Sequence, residues 1–380
     1  MRPGWVKKHL GEVCESKLGK TLNASTDHGE IRPYLCAVNV KWDAFDLATI
    51  KKAPFDADEI KKYSVQKGDL LVCEGGETGR AAIWDKEEPI QYQNALHRIR
   101  FKEGTILPRF CLHYLRYLKL SGVLDKEYSH GATILHLVTK SLYSIPIEYP
   151  SLTEQQRIVD ILDREFAKID ALKANAEKSL QAAKDLFQAT LKKELEPKKE
   201  WEELAIPEVS ENLDSKRVPI TKSVRENGHY PYYGASGIVD YVADYIFDEP
   251  LLLVSEDGAN LLARSTPIAF SIEGKVWVNN HAHVLRFDDY KKQKFVEYWF
   301  AGNDISSLIT GAAQPKFNQK ALNSIKIAFP MKEQEMEDIL DRLGEMEGKS
   351  ISLQENYQKT LSLCDDLKQA LLRKAFNGEI

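Results

Sequence analysis

His281 and His283 stand two residues apart. On a strand both imidazoles point the same way, the arrangement from which a metal site can begin. No Cys or carboxylate at ligand spacing completes the set, so no metal is expected. Gly75-Gly76 and Gly258 could line a phosphate-binding loop. The chain has no GxxxxGK followed by Ser or Thr, however, and no GxGxxG ahead of a helix, so these read as turn glycines. It also lacks the Asn/Asp-Pro-Pro-Tyr/Phe run that amino-methyltransferases use, and any recognisable nuclease or helicase signature. Cys14, Cys36, Cys73, Cys111 and Cys364 are odd in number and without CxxC spacing. They read as reduced thiols of a cytoplasmic protein. No catalytic residues are assigned.

The elements that must position any binding chemistry come in two sets. Residues 131–150 read GATILHLVTKSLYSIPIEYP and residues 311–330 read GAAQPKFNQKALNSIKIAFP, identical at 8 of 20 positions at an offset of 180. Upstream, Val72/Val254, Glu74/Glu256 and Gly76/Gly258 are each 182 apart, and residues 93–101 parallel 279–287. Trp201 parallels Trp5. A repeat this long is a domain with a helix attached, not a solenoid unit. The expected boundaries are a mixed α/β head at 1–150, a long helix at 151–200, a second head at 201–330 and a second long helix at 331–380.

In the first head, short runs at 34–40, 69–73, 80–84 and 96–101 predict strands, and 109–119 predicts a helix. Thr153 with Gln156 then predicts a capping box. After it, Ile158, Leu162, Ile169, Leu172, Ala176, Leu180, Ala183, Phe187, Leu191 and Leu195 step by three or four, with Glu165 in the one slot lacking an apolar residue. The second stripe carries Met336, Ile339, Leu343, Met346, Leu353, Tyr357, Leu361, Cys364, Leu367, Leu371 and Ala375, with Gly378 as a helix stop. Residues 185–195 and 366–376 agree at six of eleven positions. Two such stripes can satisfy each other as an antiparallel intramolecular coiled coil, which would put the heads at opposite ends of one rod. Pairing with another chain is the alternative.

The bulk numbers suit two domains: 380 residues, 43% hydrophobic and 29% charged. No apolar run approaches the roughly 20 residues of a membrane span, and no signal peptide is visible. The net charge of −5 argues mildly against nucleic acid, but it is unevenly spread. Residues 1–150 carry 22 Lys and Arg against 19 Asp and Glu, whereas 201–330 carry 13 against 17.

This arrangement resembles the specificity subunit of type I restriction–modification enzymes. The resemblance spans essentially the whole chain: the order head, helix, head, helix; residues 145–163 (IPIEYPSLTEQQRIVDILD); the ending 371–380 (LLRKAFNGEI); and the strand–turn–strand segments 68–80 and 251–269. It implies a DNA reader without catalysis of its own. Each head would read one half of a split double-stranded target, and the rod would set the gap. Two methyltransferase subunits would dock on the helices, and motor-nuclease subunits would join them. S-adenosylmethionine, ATP and Mg would then belong to those partners.

Under that reading, Arg or Lys suits guanine, Asn or Gln suits adenine, and phosphate contacts set the register. The first head offers Lys41, Lys51, Lys52, Thr78, Arg80, Gln91, Tyr92 and Asn94. The second offers Tyr232, Tyr233, Ser255, Asn260, Arg264, Asn279, Asn280 and His281. A self-contained DNA-modifying enzyme and a coiled-coil adaptor with two protein-binding heads stay open as rivals. Binding of S-adenosylmethionine by the chain alone would favour the first, and the absence of any DNA preference the second.

Overall fold

The computed structural model describes residues 4–23, 28–311 and 313–380. The chain forms two compact units, one of residues 1–175 with 360–380 and one of 176–359. Each therefore holds one head and a portion of both long helices, a division that runs through the helices where the sequence boundaries fell at their ends.

The two heads share one topology. In the first, a four-stranded sheet places Leu96–Phe101 between Cys14–Leu18 and Leu70–Cys73, with Ala81–Ile83 at its edge. Leu70–Cys73 is buried at every position, which explains its unbroken apolar sequence. A second four-stranded sheet runs in the order Lys51–Phe55, Glu30–Leu35, Ile90–Tyr92, Ser64–Val65, with the middle pair parallel. The second head repeats both sheets. Ala282–Arg286 lies between Glu211–Asn212 and Leu251–Ser255, and Asn227–Gly234 pairs parallel with Lys275–Val278. In each head a short strand near its start, Val6–His9 or Glu202–Ala205, pairs antiparallel with the strand that leads into the long helix, Pro146–Tyr149 or Lys326–Phe329.

The predicted run at 34–40 divides. The strand Glu30–Leu35 ends before a 3-10 turn, Ala37–Asn39, whose Asn39 side chain accepts from the Cys36 N–H at 2.9 Å. The predicted helix at 109–119 is Pro108–Leu120.

The first long helix spans Leu152–Glu194, 43 residues and so roughly 65 Å at 1.5 Å per residue. Its cap is not Thr153: the Ser151 hydroxyl accepts from the Glu154 N–H. Gln155, fully buried, bonds instead to the backbone of Thr105, Leu107 and Pro150, tying the helix start to the head. The slot assigned to Glu165 is filled by its neighbour. Phe166 is buried in the head core, while Glu165 stays at the surface with Arg164 and Lys168. The second long helix spans Glu333–Asn377 and ends at Gly378 (φ 72°), where the N–H groups of Gly378 and Glu379 return to the carbonyls of Ala375 and Lys374.

The apolar stripes do more than one job. In the first unit Ile158, Leu162 and Phe166 join a core with Leu372, Ala375 and Phe376, and Leu371 packs against it. In the second unit Leu191, Leu195, Ile339 and Leu343 join the head core, and Phe187 packs against it. The helices run antiparallel in each unit. Lys173 meets Asp365 at 2.8 Å and Lys368 meets Asp170 in the first, while Arg342 meets Glu194 at 2.6 Å and the Ser350 hydroxyl donates to the Ala183 carbonyl in the second. Between the head-packed ends the buried positions are small: Ala176, Ala183, Ser350 and Cys364. Ile169 is also buried, whereas Leu180, Tyr357 and Leu361 are half-buried. Leu172, Leu353 and Leu367 are exposed at 40–49%, contrary to a strict heptad seam. A pair of helices buries one narrow stripe each, and small residues let the backbones approach, so those leucines are left outside.

Candidate nucleic-acid interface

Each head gathers three turns by one set of backbone bonds. In the first, the Glu74 N–H donates to the Ala95 carbonyl, the Leu137 N–H donates to the Glu74 carbonyl, and His130 and His136 exchange N–H···O bonds. In the second, Glu256 donates to His281, Phe317 donates to Glu256, and Thr310 and Lys316 exchange the same pair. The central strands brace these turns from beneath. Nε2 of buried His97 lies 2.7 Å from the Leu137 carbonyl, and Nε2 of buried His283 lies 2.8 Å from the Phe317 carbonyl. Burial lowers the His97 pKa.

The predicted site residues divide by exposure. Lys41, on the hairpin Val40–Lys41/Ala44–Phe45, and Lys51 and Lys52, on the edge strand Lys51–Phe55, are exposed. Asn280 and His281 are exposed on the turn before the second central strand, where His281 Nδ1 lies 2.9 Å from Asp257. Asn94 is half-buried on the equivalent turn, its N–H bonded to the Lys20 carbonyl.

Several others are buried or engaged within their own head. Thr78 is fully buried and donates to Asp125 at 2.7 Å. Tyr92 is fully buried, donates to the Lys17 carbonyl at 3.0 Å, and has its phenol pushed up to about 12 by that burial. Gln91 is buried against the Ile60 carbonyl, and Arg80 is spent on Glu77 and the Ala37 carbonyl. In the second head Tyr232 is buried beneath the Arg225 guanidinium, 4.3 Å from its ring centroid, and accepts from the Ile220 N–H. Ser255 is buried and donates to the Ala235 carbonyl, while buried Asn279 accepts from the His281 N–H at 2.8 Å. Tyr233 is half-buried against Phe270.

Asn260 caps its own loop, accepting from Ser265 and Thr266. Arg264 sits in a left-handed conformation (φ 47°) and donates to the Phe300 carbonyl, lining a cavity of about 250 Å³ with Glu297 and Tyr298. These residues share one cause: a polar side chain between apolar strands is often there to satisfy buried backbone groups.

The sequence reading took Tyr232 and Tyr233 from the hairpin Asn227–Gly234/Gly237–Val242 but passed over its second strand, on which Ile238, Val239 and Tyr241 are about half exposed. Its alternation around a Gly-bounded turn was the available signal.

His283 does have acidic company in space. Its Nδ1 lies 2.6 Å from Asp214, with Glu256 at 3.8 Å, and these three are the group among the described residues whose atoms could hold a metal. Arg217 nevertheless already donates to Glu256 at 2.7 Å and lies 3.3 Å from Asp214. With both ring nitrogens facing acceptors, the cluster is arranged as a hydrogen-bonded ion network. Burial alone would raise Asp214, but the bond from His283 and its charge outweigh it, so its pKa is lowered. Among the described residues no helix is long and apolar enough to cross a membrane.

Comparison with known proteins agrees with this duplicated arrangement. A Haemophilus influenzae protein described as the type I restriction enzyme specificity subunit S.HindORF215P is 32% identical over 131 residues, 34% of this chain and 33% of that protein. The chain thus spans a third of that relative. The EcoDI type I specificity subunit of Escherichia coli is 23% identical across 99% of this chain and 88% of its own length. A chain from a solved type I R-M system, studied for its complex assembly and conformational transition, shares the fold with a TM-score of 0.78 and 16% identity, covering 100% of this chain and 99% of that one. The profile of the type I restriction modification DNA specificity domain matches twice, at residues 3–182 and 198–357, and by that match over most of its length the chain belongs to this family.

Proposed function

We propose that this chain reads a bipartite double-stranded DNA target, one half-site per head, as the non-catalytic specificity subunit of a cytoplasmic type I complex. The observation that carries the reading is the contrast between frame and face. The two heads have the same strand order and the same bonds holding three turns together, while the turns differ around a shared asparagine: Gln93 and Ala95 flank Asn94 in one, Asn279 and His281 flank Asn280 in the other. A constant scaffold with unlike faces suits two unrelated half-sites. Of the residues singled out from sequence, exposed Lys41, Lys51, Lys52, Asn280 and His281, with half-buried Asn94, would make the contacts to the duplex.

The paired helices would dock two methyltransferase subunits. Exposed Leu172, Leu353 and Leu367, with Leu186, Ile351 and Leu363, supply apolar surface along them. S-adenosylmethionine would bind those subunits, and ATP and Mg the motor-nuclease subunits of a restricting complex. Co-expression with a type I methyltransferase subunit, followed by mapping of methylated adenines across a genome, tests the proposal. One split motif that needs both chains is the expected result. A stable complex with no motif would sink the DNA reading in favour of a protein adaptor.

A further inference from the structure

The loops at residues 130–136 and 310–316 are closed by the same backbone bonds, and they open the stretches 131–150 and 311–330, which agree at 8 of 20 positions. We propose that each is a grip on the DNA sugar–phosphate backbone, set the same way in both heads and independent of base sequence. This assignment rests on the DNA-reading function above.

Charge is the first observation. Residues 128–147 and residues 305–332 contain no Asp or Glu. The second stretch lies largely within a head that carries 17 acids over residues 201–330, about one in eight, so 28 consecutive positions without one stand out. The cations there include exposed Lys316 in the second loop and, at matching positions on the short helices that follow the loops, exposed Lys140 and Lys320. Around them are Thr133, Gln314 and Asn318, also exposed, which can hydrogen-bond phosphate oxygens.

Rigidity is the second. Each loop is closed by a reciprocal pair of backbone bonds at 2.7–2.9 Å, bridged to the turn at Gly75 or Asp257, and held below by the buried histidine. Gly131 (φ 143°) and Gly311 (φ 86°) open the loops, and a Cβ there would meet the carbonyl oxygen of Ile134 or Gln314 at 1.9 or 2.4 Å. A loop whose ends are already tied loses less freedom on binding. The heads must differ where they meet bases, so a loop closed the same way in both heads and without an acid of its own fits what both half-sites share. The phosphate backbone is that, and its charge is complementary.

The test is a salt titration of duplex binding by the full chain, alone and with its co-expressed methyltransferase subunit, comparing the native protein with Lys140→Gln/Lys316→Gln/Lys320→Gln. If each lysine neutralises one phosphate, the slope of log affinity against log salt falls by about 0.9 per lysine, up to about 2.7. Target and unrelated duplexes should weaken by the same factor, with the methylation motif unchanged. An unchanged slope in a variant with native thermal stability overturns the proposal. A changed motif would make the loops base readers. Loss of methyltransferase co-purification with undiminished DNA affinity would make them a protein contact. Should the native complex give no motif yet still bind DNA with the lysine-dependent slope, the specificity reading fails while the grip stands.

Discussion

The two places where a head meets its long helix occupy the same position in the repeat but are held by different chemistry. In the first unit, Arg109 donates to both Asp163 and Asp43, and Nε2 of buried His113 lies 2.7 Å from Asp163. The guanidinium of Arg116 lies over the Trp42 and Phe166 rings. In the second unit the position matching His113, at an offset of 182, is Phe295, fully buried in one core with Leu343, while the run DILDR of residues 160–164 recurs at 338–342, so that Asp163 is matched by Asp341, which is exposed. The charge has moved outward there: Lys291 pairs with Glu333 and Glu337 near the surface, and Tyr298 donates to Glu347 at 2.8 Å. One backbone arrangement thus tolerates an ionic or an apolar joint. The ionic one constrains direction, because each partner must be matched; the apolar one gains its strength from area removed from water.

The largest expected effect treats the heads as separable. Replacing residues 1–150 with the head of another family member should change one half of the methylated motif completely and leave the other intact. Methylome mapping that shows both halves altered, or neither, would break the idea that each head works alone.

Next come the joints themselves. Leu343→Ala should destabilise the second unit by about 2–5 kcal/mol through the cavity it leaves. Asp163→Asn should cost the first unit less, about 1–3 kcal/mol, because its carboxylate is 35% exposed and partly screened. Hydrogen exchange resolved by unit would check both, and equal losses would erase the distinction.

The joints should also differ in acid. Burial lowers the His113 pKa despite the bond to Asp163, so proton uptake opposes folding as pH falls below the ordinary histidine value of about 6.5. Buried His97 adds to this in the same direction. For Asp163, burial alone would raise the pKa, but the bonds from His113 and Arg109 hold it at about 2. Its contribution is full above about pH 4 and is lost as pH falls toward 2. From pH 7 to 5 the first unit should therefore lose exchange protection through its histidines. The exchange Arg109→Lys/His113→Phe/Asp163→Leu should blunt that loss, and an unblunted response would place its origin elsewhere.

The smallest effect is expected on the outer face of the helices. Leu172→Gln and Leu367→Gln should change stability by no more than about 0.5 kcal/mol, yet weaken methyltransferase co-purification. A large drop in melting temperature would mean that these side chains are structural after all.

Sequence alone determined the duplication, the two long helices and their approximate ends. Those are set by local periodicity, capping and a repeat at fixed offset, all of which a linear chain displays. It also showed which turns would carry polar side chains. Only the tertiary structure decided which of those side chains face outward. Thr78 finds Asp125, 47 residues away, and Tyr92 finds the Lys17 carbonyl, 75 away. Polar residues chosen to read a duplex and polar residues chosen to satisfy a core look alike until their partners are brought together. The same holds for the helices. The stripe announced an amphipathic rod, but the heads and the partner helix divide it among them, and the leucines left over are settled by packing in three dimensions, not by spacing in one.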